Sequence, residues 1–263
     1  MVTPRRVVYM AAMANAPTLF QFRASHFNEK ARWALDWKRV PHVRQTLLPG
    51  PHIPRMLWMT GQQQVPALIT DVGAIVDSTR IIAHLEERHP DRPLYPVDDD
   101  ARRRALALED WFDEHLGPSL RRVVFAEVLD DGDFMTHAFA GEEGALMQTL
   151  YRAVLPGLRI VMRSSMGIDD AGVARSRIEV TEALDRIETE LQPSGYLVGD
   201  AFTVADLTAA ALLSPIVRPA EFPYSVPALP EGGARYRAAL ASHPAFRWAE
   251  DMYRRHRGTS SAI

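Results

Sequence analysis

Apolar positions in residues 16–88 follow two different spacings. Four short apolar runs have the length of strands: 18–22, 43–48, 66–70 and 74–76. The last two runs flank a turn and predict a hairpin. Two longer segments repeat apolar residues at helical intervals: 27–39 and 78–88. Residues 53–59 indicate an irregular or short helical turn. The order β-α-β and then β-β-α predicts a small α/β domain with a mixed sheet over residues 17–89.

The pattern changes after residue 89. Residues 90–100 hold three prolines and the run Asp98–Asp100, a composition typical of a linker. Beyond it, residues 101–258 show only helical spacing and predict an all-α domain, followed by a tail at 259–263. Helices are predicted at 101–129 with an interruption at Gly117-Pro118, at 143–166 with a kink at Pro156, and at 173–191, 234–241 and 244–257.

A further helix is predicted from its start signal. Thr203 and Asp206 have the spacing of a capping box, in which each side chain accepts the backbone N–H of the other residue. We expect a loop at 130–133 and a long proline-rich connection at 215–233. The fold class is therefore an α/β thioredoxin-like N-terminal domain followed by an all-α helical bundle.

The first sixteen residues imitate a signal peptide. Arg5-Arg6 precede an apolar stretch, and Ala14-Asn15-Ala16 resembles a cleavage site. We favour the alternative, a disordered or mis-assigned leader over residues 1–16, with Met10 or Met13 as later starts. A cytoplasmic protein is the expectation.

Composition restricts the function. Hydrophobic residues make up 47% and charged residues 24%, and the net charge of −3 does not favour a nucleic-acid partner. Cysteine is absent, which excludes disulfides, Cys-ligated metals and a protein thiol as nucleophile. No apolar stretch reaches the ~20 residues of a membrane span. His84 and His89 do not share a helical face, and we expect no metal.

Candidate chemistry lies at three turns of the first domain. Ser25 stands where the first strand gives way to a helix, and its hydroxyl and the nearby N–H groups suit an anion. Ser25 or Asn28 merely capping this helix is the alternative. Val65-Pro66 precedes the third strand, where a cis bond would present the Val65 backbone to an extended peptide. Ser78 is a good N-cap of the next helix, and Asp77 beside it suits an ammonium group.

Together these turns resemble the glutathione S-transferase family. The resemblance covers nearly the whole chain after residue 16 and depends on four segments: Ser25–Trp33, Gln64–Leu68, Asp77–Ile82 and Tyr196–Asp206. It implies that the first domain binds glutathione as co-substrate. Val65 would pair with the cysteinyl part beside a cis Pro66, and Gln64 would reach the glycyl end. Asp77 and Ser78 would hold the γ-glutamyl ammonium and carboxylate.

The resemblance also implies the catalytic group. Ser25 falls where serine-type members keep the hydroxyl that hydrogen-bonds the glutathione sulfur. Asn28 matches the second half-cystine of the thioredoxin-like ancestor and is a possible additional donor. A second-substrate pocket for a small hydrophobic electrophile would lie against the helical domain, with Phe27, Trp111 and Phe112 as candidates, although such residues are more often core.

Two functions from different classes remain open at this point. The first is a glutathione transferase, including a specialised dehalogenase or isomerase; the lack of cysteine disfavours thiol-transfer and dehydroascorbate-type activities. The second is a non-catalytic binding or interaction scaffold of the same fold. A homodimer is expected, with no nucleic-acid or membrane partner.

Overall fold

The structure is a computed structural model that describes residues 16–263. The predicted leader therefore lies, except for Ala16, outside the described residues. The described part consists of an α/β unit followed by helices, as the sequence pattern predicts. None of its helices is long and apolar enough to span a bilayer.

The α/β unit contains a four-stranded mixed sheet. Its elements are β1 (Thr18–Gln21), α1 (His26–Trp37), β2 (Val43–Thr46), α2 (His52–Thr60), β3 (Ala67–Thr70), β4 (Gly73–Val76) and α3 (Ser78–Arg88). The strand order is β2-β1-β3-β4. β1 pairs with β2 in parallel and with β3 in antiparallel orientation, and β3 and β4 form the predicted hairpin. The segment expected to be irregular forms α2, which ends at Gly61 in the left-handed conformation (φ 74°).

Helices make up the rest of the chain. They are α4 (Asp99–Trp111), a five-residue π-helical turn (Phe112–Leu116), α5 (Gly117–Val128), α6 (Gly132–Ala140), α7 (Ala145–Met166), α8 (Asp170–Glu190), α9 (Val204–Val217), α10 (Glu231–Leu240) and α11 (Pro244–His256). The expected interruption of the first helix is the π-helical turn. α7 continues through Pro156.

Three helix boundaries correct the sequence prediction. The loop expected at 130–133 is short, because Asp131 accepts the N–H of Phe134 and caps α6, a helix that the pattern did not reveal. α9 continues through Pro215 to Val217, so the proline-rich connection begins later than expected. α4 begins inside the expected linker because Asp98 caps it by accepting the Ala101 N–H.

The main hydrophobic core lies where the two units meet. α9 is buried along almost its whole length and packs against α1 and α11. The predicted capping box of α9 is present: the buried Asp206 accepts the N–H of Thr203 at 2.9 Å and that of Leu197 at 2.8 Å. Trp33 of α1 packs against Phe202 and Tyr253 with ring centroids 5.7 and 4.4 Å apart.

Buried ion pairs also join the two units. The Glu29 carboxylate of α1 accepts hydrogen bonds from Arg32 at 2.7 Å and from Arg257 at 2.6 Å. Arg257 also donates to Asp36 at 2.8 Å. Burial alone would raise the pKa of Asp36, but Arg257 and Arg44 hold that pKa below its usual value. Each buried charge thus has a partner, which a buried charge requires to be tolerated.

Candidate functional site

Ser25 caps the N-terminus of α1. Its backbone is extended (φ −88°, ψ 128°), and its Oγ accepts the backbone N–H of Asn28 at 3.4 Å. The Asn28 side-chain Nδ2 donates to the same Oγ at 2.6 Å. The side chain of Ser25 is half-buried. Because two donors already point at Oγ, the hydroxyl proton is available for an acceptor outside the helix.

Asn28 joins the Ser25 turn to the turn before β3. This side chain is fully buried. Its Oδ1 accepts the backbone N–H of Phe22 at 3.2 Å, and its Nδ2 also reaches the carbonyl oxygen of Val65 at 3.4 Å. The Val65-Pro66 bond is cis, as the sequence analysis predicts. Two segments that lie 37 residues apart in the chain are thus held side by side by one amide.

Asp77 and Ser78 lie next to this pair. The backbone N–H of Asp77 donates to the carbonyl oxygen of Pro66 at 3.3 Å. Asp77, not Ser78, is the N-cap of α3, because its Oδ1 accepts the N–H groups of Thr79 at 3.0 Å and Arg80 at 3.2 Å. Ser78 is the first residue of the helix and only 2% exposed.

The backbone at Asp77 is strained. Its φ is 81° with ψ 137°, a region that a residue with a side chain rarely adopts. Such strain costs on the order of 1–3 kcal/mol and is found where the surrounding structure enforces it, often at ligand sites. The exposed carboxylate of Asp77 uses only Oδ1 for capping, so Oδ2 faces a possible cationic ligand.

Gln64 is exposed at the outer end of the same turn. Its carbonyl oxygen accepts a long hydrogen bond of 3.5 Å from Gln62. The turn therefore places its side chain beside Val65, at the edge of the site. Ser25, Asn28, Val65, Pro66, Asp77 and Ser78 are brought together by direct contacts, and Gln64 by chain connection alone.

A buried ion cluster lies behind the first turn of α3. The ammonium of Lys30 donates to Thr79 Oγ1 at 2.8 Å, lies 2.8 Å from the Glu109 carboxylate and also pairs with Asp113. Burial alone would lower the pKa of Lys30, but the two carboxylates raise that pKa above its usual value. Sequence reasoning missed this cluster, because its acids come from the helical domain.

An apolar cavity opens beside the Ser25 turn. It has a volume of about 70 Å³, several times the ~10–15 Å³ that one water needs. Ala24 forms one wall, and the opposite walls come from α5, α6, the end of α9 and the connection that follows α9. Its aromatic lining consists of Phe125, Phe134, Phe139 and Phe222.

The residues predicted for the second-substrate pocket do not line this cavity. Phe112 is fully buried in the core. Trp111 stacks on His115 with ring centroids 4.7 Å apart. Phe27 packs against Gly117 so closely that a Cβ there would lie 2.4 Å from its ring. Phe27 thus fixes the helical domain against the Ser25 turn, while the cavity is formed by aromatic residues of α5 and α6.

Arg121 lies on α5 between the Phe27 contact and the cavity. Positions 117, 121, 124, 125 and 128 share one helix face, since they are three or four residues apart. Gly117 meets Phe27, and Val124, Phe125 and Val128 line the cavity. Arg121 therefore faces the Ser25 turn. Among the described residues, no carboxylate pairs with this guanidinium, and its buried Nε has no hydrogen-bond partner.

The surroundings of Arg121 are positive and poorly hydrated. Burial lowers the pKa of Arg121, and Arg122 adds to the effect. His26, the neighbour of Ser25, is buried, and burial together with the charge of Arg121 lowers its pKa to about 3. His26 is therefore a neutral imidazole at physiological pH. The one unpaired charge here favours an anion.

The connection after α9 covers the other side of the Ser25 turn. The Tyr224 hydroxyl accepts a hydrogen bond from Gln21, and its ring lies 5.1 Å from the Arg32 guanidinium. Arg32 in turn donates to the carbonyl oxygens of Phe22 and Arg23 at 3.1 Å. The proline-rich sequence predicted a connection without indicating this contact.

One cluster in residues 16–263 has donor atoms close enough for a metal ion. Asp185, Glu188 and His243 place ligand atoms within 4.8 Å of one another. The two acids are exposed, and His243 already pairs with Asp185 at 3.1 Å. This cluster lies on α8 and at the start of α11, outside the site described above.

Comparisons with known proteins match both parts of the chain. Residues 19–93 match the family model for the glutathione S-transferase N-terminal domain, and residues 170–242 match that for the glutathione S-transferase C-terminal domain. The two segments together make up more than half of the chain.

Individual relatives agree with these models. A probable maleylacetoacetate isomerase of Caenorhabditis elegans is 25% identical over 199 residues, which are 75% of this chain and 77% of that protein. A maleylpyruvate isomerase of a Ralstonia species is 36% identical over 93 residues, 34% of this chain and 44% of that protein.

A solved structure shares the fold. The crystal structure of a glutathione S-transferase from Methylobacillus flagellatus, with glutathione bound, superimposes with a TM-score of 0.54. The match covers 89% of this chain and 98% of that one at 18% identity.

Proposed function

Because the chain belongs to the glutathione S-transferase family, we propose that it binds glutathione at the Ser25 turn and transfers its thiolate to a small electrophile. The observation that carries this proposal is the contact of three separate turns. Asn28 bonds both Ser25 and Val65, and Asp77 bonds Pro66. An extended peptide can lie across these turns.

Each part of the tripeptide has a partner in this arrangement. The backbone of Val65 pairs with the cysteinyl residue, as one strand pairs with another. The free carboxylate oxygen of Asp77 accepts the γ-glutamyl ammonium, and the first N–H groups of α3 at Ser78 bind the γ-glutamyl carboxylate. Gln64 reaches the glycyl end. The sulfur then lies over the N-terminus of α1.

Ser25 stabilises the thiolate in this proposal. A free thiol has a pKa near 8.5, and lowering it by about two units requires about 2.7 kcal/mol. A hydrogen bond from the Ser25 hydroxyl to the charged sulfur supplies ~1.5–3 kcal/mol, and the helix dipole adds ~0.3–1 kcal/mol. Asn28 orients the hydroxyl, because its amide occupies the acceptor side of Oγ.

The electrophile occupies the apolar cavity beside Ala24, and Arg121 binds an anionic group on it. With an aryl chloride, the thiolate attacks the carbon that bears chlorine, the C–S bond forms, the C–Cl bond breaks and chloride leaves. The protein supplies no proton to this step. An isolated, partly buried guanidinium favours a substrate that pairs its charge.

A glutathione-dependent cis–trans isomerase is the second candidate. It is favoured by the two curated relatives, which are a maleylacetoacetate isomerase and a maleylpyruvate isomerase. The thiolate would add to the carbon–carbon double bond of an unsaturated acid, the single bond would rotate, and the sulfur would leave again. Arg121 would hold a carboxylate of this substrate.

Calorimetric titration with glutathione tests the binding step. We expect saturable binding, and Asp77→Asn is expected to weaken it by about 10-fold through loss of one charged hydrogen bond. Asp71→Asn, at the exposed hairpin turn, is the matched control and should bind as the wild type does. Absence of binding at millimolar glutathione would favour a non-catalytic scaffold instead.

A pair of electrophiles tests the role of Arg121. The substrates are 4-chloro-3,5-dinitrobenzoate and its methyl ester, which differ in charge but share the reacting carbon. We expect Arg121→Gln to lower kcat/KM for the acid by about 10–100-fold and to change the ester little. Arg235→Gln, on the exposed face of α10, is the control. Equal losses for acid and ester would exclude recognition of the carboxylate.

A further inference from the structure

The outward face of α7 is apolar and lacks charge. Residues 145–166 form a helix about 33 Å long. Its inward face packs through Tyr151, Leu155 and Met162. The outward face carries six exposed apolar side chains, named here the α7 seam: Leu146, Met147, Leu150, Val154, Ile160 and Val161.

The charged residues of α7 turn away from the seam. Arg152 pairs with Asp133 at 2.8 Å, and Arg163 pairs with Asp130 at 2.6 Å. Both pairs lead sideways, toward α6 and the residues before it. The exposed face of a solvated helix normally carries charged residues, so the α7 seam has the composition of a contact surface.

The seam has the spacing of a helix–helix contact. Met147, Val154 and Val161 are seven residues apart, and Leu150 and Gly157 fill the positions between them. This is the repeat of apolar positions by which two helices pack along their length. A side chain at Gly157 would meet nothing within 4 Å, so this position offers a gap for a residue of a partner helix.

We propose that the α7 seam is covered by the α7 seam of a second copy, in antiparallel orientation about a two-fold axis near Val154. A two-fold contact requires a patch that matches itself. Val154 lies midway between Met147 and Val161, so reversal of the helix places Met147 against Val161 of the other copy. The same reversal brings Leu150 to the gap at Gly157.

The exposed area supports this choice of partner. The six side chains are 42–75% exposed, which leaves on the order of 600 Å² per copy, or about 1,200 Å² for the pair. That reaches the lower range of specific interfaces, about 1,200–2,000 Å². A patch without charge also offers no complementarity to a charged partner, whereas it fits a second uncharged patch.

The α7 seam lies outside the segments matched by the family models, which end at residue 93 and resume at residue 170. The contact is thus inferred from this chain's own residues. It does not depend on glutathione binding, and its failure would leave the proposed function intact.

Light scattering on the full-length protein tests the inference. We expect a dimer for the wild type and a monomer for the double variant Leu150→Glu, Val154→Glu. Ile178→Glu, which is 61% exposed on α8, is the control and should remain dimeric. Circular dichroism would verify that each variant is folded. A monomeric wild type, or a dimer that survives the double variant, would overturn the proposal.

Cross-linking tests the orientation. The chain has no cysteine, so Val154→Cys introduces a single thiol, which the two-fold axis places opposite itself. Under mild oxidation we expect most of this variant to form a disulfide-linked dimer, and Ile178→Cys to remain unlinked. Lack of cross-linking in a dimeric Val154→Cys protein would overturn the antiparallel arrangement.

Discussion

Replacement of Ser25 by alanine separates its two roles at the site. The hydroxyl accepts the Asn28 N–H as the cap of α1, and it is proposed to donate to the glutathione sulfur. Loss of the cap costs about 1 kcal/mol of protein stability at any pH. Loss of the hydrogen bond to the thiolate costs ~1.5–3 kcal/mol, equivalent to about 1–2 units in the pKa of the bound thiol.

The pH profile distinguishes these effects. With a bound thiol near pKa 6.5 in the wild type, the variant would be about 1–2 units higher. At pH 6.5 we expect kcat/KM for conjugation to fall by about 5–50-fold, because less thiolate is present. At pH 9 both proteins hold mostly thiolate, and the difference should shrink to less than about 2-fold.

The measurement is a stopped-flow titration of thiolate absorbance together with kcat/KM from pH 5.5 to 9.5. Ser25→Thr keeps a hydroxyl and a capping oxygen, so it should retain most of the thiolate absorbance of the wild type at pH 6.5. Urea unfolding of each variant removes the contribution of the cap. A loss of activity that is the same at every pH, or no loss at all, would refute the role of Ser25 in ionising the sulfur.

Three further predictions follow from the buried polar groups and the cysteine-free sequence. Lys30→Met leaves the buried Glu109 carboxylate without its cation, so urea unfolding should show a loss of about 3–5 kcal/mol, against less than about 1 kcal/mol for the surface control Arg235→Met. Burial raises the pKa of Asp206 to about 6; because the folded state then holds the proton more tightly, wild-type stability should fall as pH rises from about 4 to 6, by up to about 3 kcal/mol. Asp206→Asn should lack that fall, and parallel urea midpoints of the two proteins across this range would contradict it. Ser25→Cys places one thiol at the α1 N-terminus, and its alkylation rate against pH should give a pKa below the ordinary ~8.5; a value at or above it would show that this helix end does not stabilise an anion.

The parts of the fold that the sequence predicts are those set by local signals. The hairpin, the capping box at Thr203 and the helices with one apolar stripe all depend on residues within a few positions of each other. α6 lacks such a stripe, since residues of several types on it are buried by α7 and the cavity. Pro215 was expected to end α9, but the dense packing around that helix keeps it continuous.

The site divides in the same way. Ser25, Val65 and Asp77 lie at turns, and turn chemistry is visible in the sequence. Their mutual contacts depend on strand order, which the β-α-β and β-β-α pattern also predicts. Arg121 carries no local signal, because an arginine on a helix is ordinarily solvated. Only the packing of α5 on Phe27 shows that this guanidinium faces the Ser25 turn.

Helix α1 explains why such distant residues control one hydroxyl. Its first turn carries Ser25 and Asn28, and the residues immediately after them, Glu29 and Lys30, are buried in ion pairs with α11's end and with α4. The position of the Ser25 oxygen is therefore set by charges from the helical domain as well as by its own strand. Since a hydrogen bond to a sulfur anion weakens steeply with distance and angle, a shift of α1 by a fraction of an ångström would change the pKa of a bound thiol. Loss of the Lys30 cation should on this reasoning affect activity at pH 6.5 more than at pH 9, even though Lys30 touches no part of the substrate.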